Sequence, residues 1–334
     1  RHRGEREPEE LLAARVARSR GLLLDPTGQA PRAVALFGSR ARGEAAPDSD
    51  VDLLLVTDGG PECSRIVVAE ALELHASYLP AARLAGEPPA KWWEPLATAR
   101  ILEPGPDDLL RAATEAARAR FTDPAARARG AAAGAANLRR RLAAATAIGG
   151  EERVRDAELR RVADGALAVA CFLRGSAEPS RRRRVSGLTA ALRGAPAAAA
   201  LAPYRRVLGL DAARGSAGEL RARARGAFAG YLAWIARHER DPLLRSLLDG
   251  PNRWWVDTAR AQGEHHRDDV AAYLLFVLDR LLLETAGPRA ALLVEPWWRE
   301  LTGQLLAPTP PGATAATCAE VLERALPPAG AEAR

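Results

Sequence analysis

Apolar positions follow two rhythms along this chain. Early on they come as short aliphatic blocks bounded by turn residues; from about Ala81 they recur at helical spacing. Residues 8–24 read as a helix, with Leu11, Leu12, Val16, Leu22 and Leu23 on its apolar face. Glu9 and Glu10 lie in its first turn, where the helix dipole favours negative charge. Asp25-Pro26-Thr27-Gly28 is a turn. Three strands follow: 32–37 (RAVALF), 51–56 (VDLLLV), closed by Thr57-Asp58-Gly59-Gly60, and 72–79 (LELHASYL), ended by Pro80. The short segment between the last two predicts a very short helix or a tight hairpin. Later on, helices are expected over 107–120, 124–147, 151–174, 219–239 and 268–286, separated by Gly/Pro breaks such as Pro104-Gly105-Pro106 and Gly149-Gly150. Strands first and helices after predict an α+β protein. A small mixed-sheet domain is expected over 1–105, an all-helical bundle domain over 106–306 with a possible division near 210–218, and a Pro/Ala-rich tail over 307–334.

Composition narrows the class. The chain has 334 residues, with 48% hydrophobic and 27% charged positions, so it is neither a disordered chain nor a fibre. Its longest apolar stretch, Ala271 to Leu283, is broken by Asp279 and Arg280, short of the roughly 18 uninterrupted residues a membrane span needs. The net charge of +6 is spread over the whole length and does not mark a nucleic-acid binder. Lys91 is the one lysine among 48 basic residues, and the arginine and alanine excess reads as the codon bias of a GC-rich genome. Cys63, Cys171 and Cys318 are odd in number and far apart, which fits unpaired core thiols in a reducing compartment. The first twenty residues are charged and lack the apolar region of a secretory leader, so a cytoplasmic location is expected.

One segment carries chemistry: Phe37-Gly38-Ser39-Arg40-Ala41-Arg42-Gly43, a short acidic loop, then Ser49-Asp50-Val51-Asp52 leading into an aliphatic run. A buried strand ends in Gly-Ser where a helix is expected to start. Glycine allows close backbone approach to a ligand, free N–H groups at a helix start suit phosphate, and the serine hydroxyl adds a hydrogen bond. Asp50 and Asp52 sit one residue apart at a strand mouth, so their side chains share a face. Such carboxylates repel unless a cation lies between them, and Mg²⁺, which keeps waters and takes phosphates as ligands, fits best. A third carboxylate is expected from the neighbouring strand. Glu73, flanked by Leu72 and Leu74, is the candidate for metal ligand or general base; Glu70 and His75 are rivals because the register of that strand is open.

GSRARG followed by SDVDLLLV resembles the signature of the nucleotidyltransferase superfamily related to DNA polymerase β, in its minimal and aminoglycoside-modifying branches. The motif covers about residues 34–56 and the domain resemblance 30–105. The resemblance implies Mg²⁺-dependent transfer of a nucleoside monophosphate, AMP from ATP or its counterpart from another NTP, to an acceptor hydroxyl, with pyrophosphate released. Two metal ions are implied. Asp50, Asp52 and Glu73 would be the catalytic and metal-binding acids. Gly38 and Ser39 would hold the triphosphate, with Arg42 and Ser49 among the nucleotide-binding positions. Residues 72–104 are similar to the matching stretch of streptomycin/spectinomycin adenylyltransferases. There Trp92 or Trp93 falls near a drug-binding tryptophan, and Glu103-Pro104 near a Glu-Pro that precedes a helical domain.

Other features are weighed against blander roles. Ser180 to Arg184 reads first as a solvated loop and second as a phosphate contact. The pairs Trp92-Trp93, Trp254-Trp255 and Trp297-Trp298 offer one core and one cleft residue each. His265-His266 with Asp268-Asp269 has metal-like composition, but adjacent helical residues diverge by about 100° and chelate poorly. A small hydroxylated acceptor, of which an aminoglycoside-like compound is one kind, is one expectation. A protein or RNA acceptor and a degenerate nucleotide-binding module are the alternatives. An arginine-rich helical region argues against a polycationic drug, and the intact acids argue against the degenerate module.

Overall fold

The computed structural model describes residues 9–25, 27–45, 50–69, 72–85, 88–149, 151–179, 183–211, 215–238, 267–284 and 313–326, together with 293, 295, 296, 298, 299 and 302. It divides into two compact units, 1–123 and 124–334.

Among the described residues, the first unit is built on five strands: β1 (Ala33–Phe37), β2 (Val51–Thr57), β3 (Cys63–Ala69), β4 (Leu72–Pro80) and β5 (Arg100–Glu103). Their order is β3-β4-β2-β1-β5. β2 and β4 are parallel and the other neighbours antiparallel. Parallel neighbours need a crossover. Here β3 supplies it, running back along the far side of β4, where a short helix or a tight hairpin was the expectation. β3 and β5 are edge strands with polar residues such as Ser64, Arg65 and Arg100, which is why their aliphatic signal is weak.

Alternation assigns each strand two faces. Val34, Leu36, Leu53, Leu55, Leu74 and Tyr78 bury one face, together with Leu12 and Val16 of α1 (Glu9–Arg18). The expected helix over 8–24 ends at Arg18, where Ser19 Oγ donates to the Arg15 carbonyl at 2.9 Å. Arg20–Leu22 adds one 3₁₀ turn. The opposite face, Ala33, Ala35, Leu54, Val56 and Leu79, is covered by α3 (Ala81–Leu84), α4 (Trp93–Ala97) and α5 (Leu109–Thr122); α2 is the single turn Gly38–Ala41. Leu110, Ala113, Thr114 and Ala117 give α5 a buried stripe at helical spacing. It packs on α4 within the first unit, so the compact unit runs past Pro104-Gly105-Pro106 to Asp123.

The second unit is helical: α6 (Pro124–Thr146), α7 (Glu152–Leu173), α8 (Arg184–Ala191), α9 (Leu201–Val207), α10 (Ala217–His238), α11 (Arg267–Glu284) and α12 (Ala313–Ala325). α7 is central, with Ala157, Leu159, Val162, Ala163, Ala166 and Leu167 fully buried. α12 lies inside the stretch expected as a tail, and Cys318, Val321 and Leu322 bury its apolar stripe in the same core. Burial pushes the Cys171 thiol up to about 11 and the Cys318 thiol up to about 12. Among the described residues, a buried and a part-buried ion pair lie in this core. Arg160 of α7 forks onto Asp279 of α11 at 2.7 and 2.6 Å, and Arg184 donates to Asp164 at 2.5 Å. Arg184, expected in a solvated run, is thus buried. Asp269 accepts from Val185 N (2.7 Å) and Ser186 N (3.0 Å) and so caps α8, while Asp268 pairs with Arg205 at 2.6 Å. His265, His266, Trp254, Trp255 and Trp297 lie outside the described residues. Among the described residues no helix is long and apolar enough to cross a membrane.

Candidate active site

The end of β1 and the start of β2 meet at one end of the sheet, where Phe37 pairs with Asp52. The chain leaves β1 through Gly38, whose φ of +71° lies in the left-handed region. A Cβ on Gly38 would lie 2.1 Å from Asp52 Oδ2 and 2.9 Å from Asp52 Cγ. Glycine is therefore required twice, for its backbone angle and for the carboxylate that occupies the space beside it. The following turn, α2, closes through Arg42 N to Gly38 O (3.2 Å) and Glu44 N to Ser39 O (2.8 Å). Arg40 Nε donates to the Asp50 carbonyl at 3.0 Å, tying the turn to the start of β2.

Asp52 lies on the sheet face that carries Leu54 and Val56, at the end of β2 beside Phe37. The parallel register pairs Asp52 with His75 of β4. His75 Nδ1 stands 3.3 Å from Asp50 Oδ2 and 3.9 Å from Asp52 Oδ1, each of the three side chains being about a quarter exposed (24–25%). One ligand atom from each falls within 4.8 Å of the others. Two carboxylates and an imidazole, open on one side to solvent, make a donor set that fits a divalent cation.

The other expected site residues are placed as follows. Ser39 is half-buried in the turn. Arg42 is engaged by acids: its Nε meets Glu44 at 2.9 Å and its Nη1 meets Glu94 at 3.0 Å. Ser49 and Glu70 lie outside the described residues. Glu73 has its backbone in β4, paired with Val68 and two residues before His75; its side chain is outside the description. Trp92 and Trp93 are both buried. Trp93 Nε1 donates to the Pro88 carbonyl at 2.8 Å and Trp92 Nε1 to Glu62 at 3.2 Å. Trp92 also meets the Phe37 ring edge-on, 6.2 Å between centroids, and so braces the residue that presents Gly38. Burial opposes ionisation of Glu62, but the Lys91 ammonium outweighs it and holds the carboxyl below its usual range. Arg40, Glu94 and the Phe37–Trp92 contact were not singled out from the sequence, because each depends on which residues a distant segment brings alongside.

The second unit has its own cavity of about 420 Å³. Its walls include Arg141, Arg160, Arg161 and Arg184 as well as Asp164 and Asp279. The charges alternate in sign, and the innermost ones are paired with each other.

No curated protein matches this chain significantly. Residues 25–92, the stretch that holds the Gly38 turn, both aspartates and His75, match the family model of the nucleotidyltransferase domain, which supports a place for this domain in the nucleotidyltransferase superfamily.

Proposed function

We propose that the protein is a metal-dependent nucleotidyltransferase that transfers AMP from ATP to a hydroxyl of a small acceptor and releases pyrophosphate. The observation that carries this reading is the convergence of Asp50 and Asp52 beside the Gly38 turn, within the domain that matches the nucleotidyltransferase family. Asp50 and Asp52 would hold the divalent ion, Mg²⁺ being the first choice for a carboxylate pair and two ions the expected complement. Held there, such ions would supply Lewis-acid stabilisation of the charge that develops during transfer. The Gly38-Ser39 backbone and the Ser39 hydroxyl hold the triphosphate in line with the acceptor. Ser49 and Arg42 extend that grip once Arg42 yields one of its carboxylate partners. Glu73 is assigned the acceptor proton: as the acceptor oxygen bonds to the α-phosphorus, the bond to pyrophosphate breaks and the proton passes to the carboxylate.

The acceptor is proposed as a hydroxylated small molecule. The arginine excess of the sequence after residue 123 argues against a polycationic aminoglycoside and for a neutral or weakly charged compound. The test supplies Mg²⁺ and α-labelled NTPs, with aminoglycosides, neutral polyols, RNA and the protein itself as acceptors. Label on a small molecule supports this reading, whereas label on RNA or protein moves the acceptor to a macromolecule. Asp50→Asn and Asp52→Asn should each lower pyrophosphate release at least about 10³-fold, since several kcal/mol of charge stabilisation leave with each carboxylate. Full activity in both variants would remove the site.

A further inference from the structure

The described donors at the aspartate pair include a nitrogen. His75 is the residue that the β2–β4 register sets level with Asp52, and its Nδ1 faces both carboxylates at 3.3 and 3.9 Å. Building on the nucleotidyltransferase reading above, we propose that His75 is a direct metal ligand that biases this site toward Mn²⁺ over Mg²⁺. Mg²⁺ is small, demands oxygen ligands in near-ideal octahedral array and gives up water reluctantly. Imidazole favours first-row transition ions over Mg²⁺, and Mn²⁺, although the weakest of that series for nitrogen, shares the carboxylate, phosphate and water ligands that this chemistry uses. The three ligand atoms lie within 4.8 Å of one another, so small side-chain rotations close them on one ion. A histidine that serves only as a hydrogen-bond partner of the carboxylates would instead stay off the ion when a cation binds them.

Binding spectroscopy separates the two roles without any turnover. Mn²⁺ is titrated into the full-length protein, with and without the unreactive triphosphate α,β-methylene-ATP. Free ion is read by electron paramagnetic resonance, and bound ion by electron spin-echo modulation. The expected result is a directly bound ¹⁴N signal that disappears in both His75→Val and His75→Asn. Mn²⁺ affinity should fall at least tenfold in these variants, with Mg²⁺ affinity, read by competition, changing less than twofold. Val brings a β-branched side chain suited to the strand and Asn keeps a polar one, and thermal melts show which variant is folded. Bound Mn²⁺ that needs Asp50 but carries no nitrogen signal, or a signal that persists in both variants, overturns the role of His75 and leaves the transferase reading standing. Equal weakening of the two ions overturns the selectivity. No bound ion under either condition sinks this inference and the transferase reading together.

Discussion

Gly38 and Asp52 share a volume that admits only one side chain. Replacing Gly38 with alanine would put a Cβ 2.1 Å from the Asp52 carboxylate and force a residue with a side chain into a left-handed backbone. The backbone cost alone is about 1–3 kcal/mol. The carboxylate must also move by something like an ångström, a displacement that can cost about 10²-fold in rate. Gly38→Ala should therefore lower the melting temperature and lose both metal binding and nucleotidyl transfer. Ser39→Ala, which removes one hydroxyl, should keep the melting temperature and lose much less activity. This part of the site was legible in the sequence because the need is local: a turn glycine and two acids at alternate strand positions show themselves within twenty residues. His75 was not, except as a rival to Glu73. Its nearness to Asp50 and Asp52 depends on the pairing of two strands, and a shift of one residue would turn it to the other face. Trp92 and Trp93 carried no mark of which was core; both are, because Glu62 and Pro88 satisfy their indole N–H groups inside the fold.

At the level of elements, the long helices could be read from their spacing, and α6, α7, α10 and α11 begin and end within two residues of expectation. The edge strands β3 and β5, and the short helices α8 and α9, escaped because each draws its stability from neighbours more than from its own pattern. The contact between α7 and α11 shows how much such pairing matters. Arg160 and Asp279 are buried together, and their two hydrogen bonds are the return for desolvating both charges. Removing Asp279 leaves Arg160 buried with only the more distant Asp156 to offset its charge. Asp279→Ala is expected to destabilise the protein by about 3–5 kcal/mol, whereas Arg160→Met with Asp279→Leu should recover most of that loss. Urea unfolding of the two variants checks the contrast. Equal destabilisation by both would mean that packing volume, not charge, governs this contact.

For the whole molecule, the order of strands before helices announced an α+β chain with a helical second part. The first compact unit extends to Asp123 because α5 carries Leu110, Ala113 and Ala117 back against the sheet, a preference that the Pro104-Gly105-Pro106 break does not reveal. Both faces of its sheet are covered from within residues 1–123, by α1 on one side and by α3, α4 and α5 on the other. That stretch produced alone should fold and melt cooperatively, while a version ending at residue 105 should expose Leu54, Val56 and Leu79 and aggregate. Calorimetry and light scattering of the two fragments test this. One further property belongs to the chain as a whole. Its sole lysine, Lys91, is 62% exposed on the first unit, and its ammonium sits 5.9 Å from the Trp92 ring that supports Phe37. Amine-directed dyes thus have one side chain to react with, and a fluorophore attached there would be quenched by an indole that adjoins the Gly38 turn, so its brightness would track any rearrangement of that turn on addition of a nucleotide.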